Sequence, residues 1–265
     1  MQKVIVNADD FGISNGVNSA IMKMAIENRL NSVSIFAKAR YTEEAIDFCK
    51  KNNQIATGLH FNLTTGPSVL GYKELPILTD EKGNFKSGFI GLLLNIFKSV
   101  FLKEVEKELI GQLNTLKTLN ISHIDGHRHI HFIPGIFGIV NKIAKQNNIQ
   151  RVRIINEGLF SIIKYKKLSF LFDGGIIKLI ILRLCGLFNG SLKIKAPYMF
   201  SILYTGKITN DLIKKAEIPK GFDQLEIMIH PGNPEIDKND SSIEYEKEAL
   251  FSNYRKKEAE LDIMS

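Results

Sequence analysis

Four of the six histidines in this 265-residue chain fall in one stretch, HIDGHRHIH, at 123–131. His123, Asp125, His127, His129 and His131 all occupy odd positions, so an extended segment would set them on one face. A helical reading competes, because His127 and His131 stand four apart and would mimic half of a zinc-binding helix motif. No glutamate follows His127, however, and Pro134 sets the next helix start beyond His131. Gly126 favours a strand-to-loop turn. Asp125 and His127 then read as a strand end and the first loop residue, reaching inward. His129 and His131 read as supporting or loop-packing groups. The bland alternative is a satisfied hydrogen-bond network with no metal.

Three further stretches carry reactive side chains. VNADDFG holds adjacent carboxylates, Asp9 and Asp10, at the end of an apolar run. Two carboxylates are costly there unless they have partners. In extended backbone they would point to different sides, so one could hold a metal and the other act as a base. The alternative is a helix cap or turn. GLHFNLT holds His60, which alternates with Leu59 and Phe61, and IMIHPGNP holds His230. A lone strand histidine is more often a hydrogen-bonded core residue than a ligand. Two histidines with one aspartate, though, leave coordination positions open, as catalytic metal sites do. Such a set fits zinc, cobalt or manganese.

These groups must be delivered by the elements around them. Apolar runs at 3–8, 32–37, 55–63, 121–125, 151–155 and 224–230 read as strands. Helical spacing covers 14–30, 42–53, 102–119 and 134–148, with Ser14 or Asn15 and Thr42 as caps and Pro134 opening the last. The alternation predicts a single α/β domain whose mostly parallel sheet is either open or closed into a barrel. In either case functional groups gather at the C-terminal strand ends. Residues 66–100 and 158–195 read as insertions.

Composition narrows the classes. At 44% hydrophobic and 24% charged the chain is an ordinary globular sequence. Cys49 and Cys185 have no metal or redox spacing, which favours a reducing compartment. The N-terminus runs straight into a strand, so no signal peptide is expected, and no uncharged apolar run spans a bilayer. A cytoplasmic location follows as the expectation, with the inner membrane face as a peripheral variant. The net charge of +7 reads first as a solvated lysine surface and second as attraction to an anionic membrane or acidic substrate. No RNA-binding motif or zinc-finger spacing is present, so nucleic acid is not expected as a partner.

Taken in order, VNADDFG, GLHFNLT, HIDGHRHIHFIP and MIHPG resemble the YdjC-like carbohydrate deacetylases, from Val4 to about Ser265. The resemblance implies a distorted TIM-like (β/α) barrel, one divalent metal, magnesium by family habit, and removal of acetyl groups from N-acetylated sugars. By motif it implies Asp10, His60 and His127 as metal ligands, Asp9 as general base and His230 as acid or transition-state stabiliser. Arg153 and Glu157, in VRIINE, look like the family's arginine-plus-acid position, and Asp125 looks like an orienting carboxylate. Family habit also suggests a homodimer.

Two departures stand out. The family usually continues past EAELDIMS with another short helix and tail, so a short or truncated tail is the expectation. The apolar, basic stretch 168–188 is long for a soluble-sugar enzyme. It is expected to face a lipid-linked glycan, against the plainer reading of core or dimer contact. The rival functions are another metal hydrolase on the same scaffold, an amidase or phosphoesterase, and a non-catalytic sugar-binding protein.

Overall fold

The computed structural model describes residues 3–158, 175–191 and 194–264. Seven strands lie among them: β1 (Lys3–Phe11), β2 (Ser32–Phe36), β3 (Ala56–Phe61), β4 (Ile121–Gly126), β5 (Arg151–Val152), β6 (Tyr198–Phe200) and β7 (Gln224–Ile229). They form one sheet in the order β5-β4-β3-β2-β1-β7-β6, with every neighbouring pair parallel. The sheet curls into a half-barrel, the distorted TIM-like architecture expected from the resemblance. Among the described residues β5 and β6 do not pair. The Asn156 side chain spans that seam instead, donating to Pro197 O at 2.9 Å and accepting from Met199 N at 2.7 Å.

The helices are α1 (Asn15–Ile26), α2 (Thr42–Lys51), α3 (Phe89–Asn95), α4 (Ser99–Thr115), α5 (Ile136–Gln146), α6 (Gly175–Phe188), α7 (Asn210–Lys214), α8 (Pro234–Lys238), α9 (Lys247–Leu250) and α10 (Asn253–Ala259).

Residue parity explains how the strands position chemistry. Along β1, Val6 and Ala8 join the apolar core, whereas Asn7 and Asp9 meet polar groups from other strands. The same division separates Val33 and Ile35 from Ser32 and Ser34, Leu59 and Phe61 from His60, and Ile124 from His123 and Asp125. A strand presents alternate residues to opposite faces. One face of the sheet therefore packs against helices, and the other lines a buried polar interior.

Local differences from the sequence reading have physical causes. β1 runs three residues beyond the expected end at Ala8: pairing with β2 is interrupted at the acidic pair and resumes at Phe11↔Ile35. β5 has two residues rather than five, and the short β6 was not expected at all. Ser14 caps α1 by accepting from Val17 N, as expected. Thr42 does not cap α2; its hydroxyl accepts from Ala39 N and donates to Phe36 O, tying the preceding loop to β2. α5 begins at Ile136, two residues past Pro134. After β4 the chain enters a tight 3-10 turn, His127–Phe132, in which Arg128 and His129 adopt left-handed backbone angles. His127, His129 and His131 therefore do not continue the face that His123 and Asp125 share.

The insertion at 66–100 is held by buried acids of α4. Glu108 accepts from Val69 N and Leu70 N, and Glu104 from Ile77 N and Leu78 N. Of the second insertion, residues 159–174 and 192–193 lie outside the described residues, and so does part of the 168–188 stretch. Its described part, α6, buries Leu179, Leu182 and Cys185 and exposes Ile177, Leu187 and Phe188. Among the described residues no helix is long and apolar enough to cross a membrane. Both cysteines are free and buried.

Candidate active site

The C-terminal ends of β1, β3, β4 and β7 deliver Asp9, Asp10, His60, Asp125 and His230 to one end of the sheet, and the turn after β4 adds His127. A cavity of about 230 Å³ opens there, with Asp9, Asp10, His60, His127 and His230 in its wall. A larger cavity of about 470 Å³, at Gln150, Arg151 and Gln224, opens at the other strand ends, away from these groups.

Asp10, His60 and His127 each present one ligating atom within 4.8 Å of the others, and all three are buried. His127 Nδ1 stands 3.1 Å and His60 Nε2 3.4 Å from Asp10 Oδ1. The far nitrogen of each ring meets another carboxylate: His60 Nδ1 lies 2.7 Å from Asp125 Oδ1, and His127 Nε2 lies 3.2 Å from Glu246 Oε1. Each ring thus stands between two carboxylates, which only accept when ionised, and a neutral ring has one N–H, so one of its two contacts meets a lone pair. A cation among Asp10, His60 and His127 resolves that repulsion, and this is the donor chemistry of a two-histidine, one-carboxylate metal site. Without a metal, protons take the role. Burial opposes a charged His60, but the Asp125 and Asp10 carboxylates outweigh it and push its pKa up to about 10. Asp10 feels the converse: burial would raise it, yet Arg255 and the two histidines hold it well below the usual carboxylate range.

Arg153 organises the interior beneath this cluster. It is 1% exposed and meets three carboxylates. Nη1 and Nη2 hold both oxygens of Asp9 at 2.7 and 2.8 Å, Nη2 also meets Asp125 Oδ2 at 2.6 Å, and Nε meets Glu226 Oε1 at 2.7 Å. Asn7 donates to Asp9 Oδ1 at 2.7 Å and Ser34 to Asp125 Oδ2 at 2.7 Å. Burial disfavours the charge on Asp125, but Arg153 and His60 keep it well below the usual range.

The remaining predicted residues divide. His129 reaches the cavity wall and His131 does not. Burial pulls His131 down to about 4, and burial with nearby Lys178 holds His129 well below the usual histidine range. His131 Nε2 donates to Arg153 O at 3.1 Å, tying the turn to β5. His123 sits deeper, between Ser34, Asn7 and Ser122. Glu157 is buried away from the cavity wall and accepts from Ser201, Ile202 and Leu203 N, which fixes the chain leaving β6. His230 lines the same cavity, and its backbone N donates to Glu258 at 2.6 Å.

The sequence reading missed the C-terminal contribution. Glu246 reaches His127, Arg255 Nη2 meets Asp10 Oδ2 at 2.6 Å, and Glu258 holds His230, so one segment braces three of the clustered residues. Arg255 and Glu258 are three apart on α10, a spacing that shares a face and was a usable signal. Glu246 lies in a loop and had none. Lys178 of α6 was also missed; it reaches the cavity, where burial lowers its pKa against the pull of Asp9 and Glu157.

The model of the YdjC-like protein family matches residues 3–265. The chain belongs to that family. Its similar curated relatives carry the name carbohydrate deacetylase. That of Brevibacillus brevis is 36% identical over 56% of this chain and 57% of its own length, and that of Clostridium beijerinckii 30% identical over 61% and 65%. A Listeria welshimeri relative is 33% identical over 65% of this chain and 70% of its own. The chain thus spans under two thirds of the length of the first two relatives. A solved structure from Enterococcus faecalis V583, of a candidate cellobiose-phosphate cleavage protein, matches with a TM-score of 0.69. It is 20% identical and covers 99% of this chain and 90% of that one, a likeness of fold.

Proposed function

We propose that this YdjC-like protein is a metal-dependent carbohydrate N-deacetylase that hydrolyses the acetamide of an N-acetylated sugar to acetate and the free amine. The observation that carries the reading is the buried Asp10, His60 and His127 cluster beside Asp9 in one strand-end cavity. The names of the relatives support the carbohydrate and the bond.

In this reading Asp10, His60 and His127 hold one divalent ion, magnesium by family resemblance, with zinc, manganese or cobalt compatible with the nitrogen donors. When bound, such an ion polarises a carbonyl and lowers the pKa of water. Asp9 takes the proton of the attacking water. Its two bonds to Arg153 fix the plane of its carboxylate and keep it from swinging onto the ligands. Asp125 holds the His60 ring by Nδ1, as a carboxylate behind a ligating histidine does. His230, in the cavity wall, protonates the departing amine nitrogen, and the Glu258 bond to its backbone sets its reach. Arg128, half exposed at the mouth, and Lys178 are placed to meet the sugar. The exposed apolar residues of α6 give the lipid-linked variant of the substrate its support.

The test is acetate release from N-acetylglucosamine oligosaccharides and a glycolipid, with divalent metal, with chelator, and with Asp10→Ala. Metal-dependent release lost in the variant is expected. Bound metal with no acetate from any substrate would move the reading to another hydrolysed bond. Metal content unchanged in both Asp10→Ala and His127→Ala would remove the ligand assignment.

A further inference from the structure

Glu246 stands outside every motif that marks the other site residues, yet three groups converge on one of its oxygens. Thr65 Oγ1 and Arg128 Nη2 each donate to Oε1 at 2.6 Å, and His127 Nε2 lies 3.2 Å from the same atom. We propose that Glu246 is a positioning residue that fixes the orientation of the His127 ring, a role that rests on the metal-centre reading above.

Three observations carry this. First, the two histidines are held alike. Each turns one nitrogen toward Asp10 Oδ1 and the other toward a carboxylate, Asp125 for His60 and Glu246 for His127. The His127 ring thus stands between two carboxylates, and the Glu246 contact at Nε2 fixes the angle at which Nδ1 faces Asp10. Second, the oxygen cannot wander. Thr65 follows β3 and Arg128 follows β4, so donors from two separate strand ends pin it. Third, Glu246 adopts left-handed backbone, φ 55° and ψ 20°. For a residue without glycine's freedom that is strained backbone, and such strain persists only where surrounding contacts over-determine it. The partners that over-determine it here are Thr65, Arg128 and His127. A solvated glutamate at a helix start would need none of them.

The experiment uses the full chain with Glu246→Ala, Glu246→Gln and, as a surface control, Lys142→Met. Glutamine keeps an acceptor oxygen between the same donors, while alanine removes it. The first readout needs no metal: 15N–1H correlation of the histidine rings, with the His127 signal assigned by its loss in His127→Ala. Wild type, Glu246→Gln and Lys142→Met are expected to show one sharp His127 ring signal, and Glu246→Ala a shifted and broadened one. The second readout is calorimetric Mn2+ affinity. Loss of an orienting partner weakens metal binding about 10–100-fold, expected for Glu246→Ala, with less than about tenfold for Glu246→Gln and wild-type affinity for Lys142→Met. A folded Glu246→Ala protein with the wild-type ring signal and wild-type affinity would overturn the proposal. If wild type takes no divalent ion while the ring signal still follows Glu246, the metal reading falls and the orienting contact stands.

Discussion

Replacing Arg153 by methionine tests the account of the interior most directly. The guanidinium is 1% exposed and lies against Asp9, Asp125 and Glu226, themselves 2%, 0% and 2% exposed. Methionine fills similar space without charge, so the variant keeps packing and takes one cation from three buried acids, of which Glu226 keeps Arg151 and Asp125 keeps His60. Removing one member of a buried ion pair costs about 3–5 kcal/mol, because the remaining charge is left uncompensated. That is a large part of the roughly 5–15 kcal/mol that stabilises a typical domain. At about 2–4 °C per kcal/mol for a chain of this size, the midpoint should fall by about 6–20 °C. An exposed pair supplies the contrast: Lys142→Met removes the 2.6 Å contact to Glu106 and should cost under about 1 kcal/mol.

The loss at Arg153 should also depend on pH, with a definite sign. In the wild type Arg153 with His60 holds Asp125, and Arg151 with Arg153 holds Glu226, below their ordinary values. Carboxylates so depressed contribute stability above their unfolded pKa and lose it as pH falls through the folded value. In the variant Asp125 keeps only His60 and Glu226 only Arg151 against burial, so both pKa values rise and acid favours the variant relative to wild type. The gap between wild type and Arg153→Met should therefore be widest at neutral pH and narrow toward about pH 5. Urea denaturation at both pH values measures it. A gap that is small at neutral pH, or constant across the range, would refute the claim that charge compensation is what Arg153 supplies.

Three other outcomes are expected. Asp9→Asn should retain metal content but lower turnover by about 10² or more, the usual loss with a general base; acetate release with metal analysis checks it. Burial raises Glu157 from 4.5 to about 7, so the wild type is stabilised by its proton below 4.5 and loses that stability as pH rises to about 7. Glu157→Gln does not titrate, so its stability relative to wild type should improve over that rise by up to about 3 kcal/mol, read as the difference in unfolding free energy at each end. A Cβ on Gly58 would lie 2.2 Å from His123 Nε2, whose ring is pinned by Ser34, Asn7 and Ser122. Gly58→Ala should therefore cost about 1–3 kcal/mol, visible as a lowered unfolding midpoint, with the damage spreading to Asp125 through Ser34.

The strand plan was readable because its signal is local and doubled. Apolar runs mark each strand, and within them the alternation of Asn7 and Asp9 with Val6 and Ala8, or of His123 and Asp125 with Ile124, marks the face that carries chemistry. Strand order then brings His60 beside Asp125 in register. What escaped the sequence was set by contacts distant in the chain. β6 has three residues, too few for a pattern, and exists because β7 offers an edge. Arg153 and Glu157 were noticed as a pair, yet Arg153 enters the charge network while Glu157 turns to the loop after β6, a division that depends on where β5 ends. Glu246 has neither periodicity nor motif, and its partners are 118 to 181 residues away.

Backbone strain shows the same division between local and tertiary causes. Seven non-glycine described residues have positive φ: Asp10, Asn28, Arg128, His129, Asn148, Ser201 and Glu246. Asn28 and Asn148 follow the ends of α1 and α5, where asparagine tolerates this conformation and local preference suffices. Asp10, Arg128, His129 and Glu246 line the candidate cavity. Three of those four are held by ion pairs: Asp10 to Arg255, and Arg128 and Glu246 to each other. The bend at Asp10 is what carries its carboxylate off the plane of β1 toward His60 and His127, while Asp9, one residue earlier, stays with Arg153. Straight backbone would send adjacent carboxylates to opposite faces of the sheet and strand one of them among the helices. The strain at Asp10 is thus the local means by which both acids reach the same cavity, and the C-terminal arginine is the contact that holds it there.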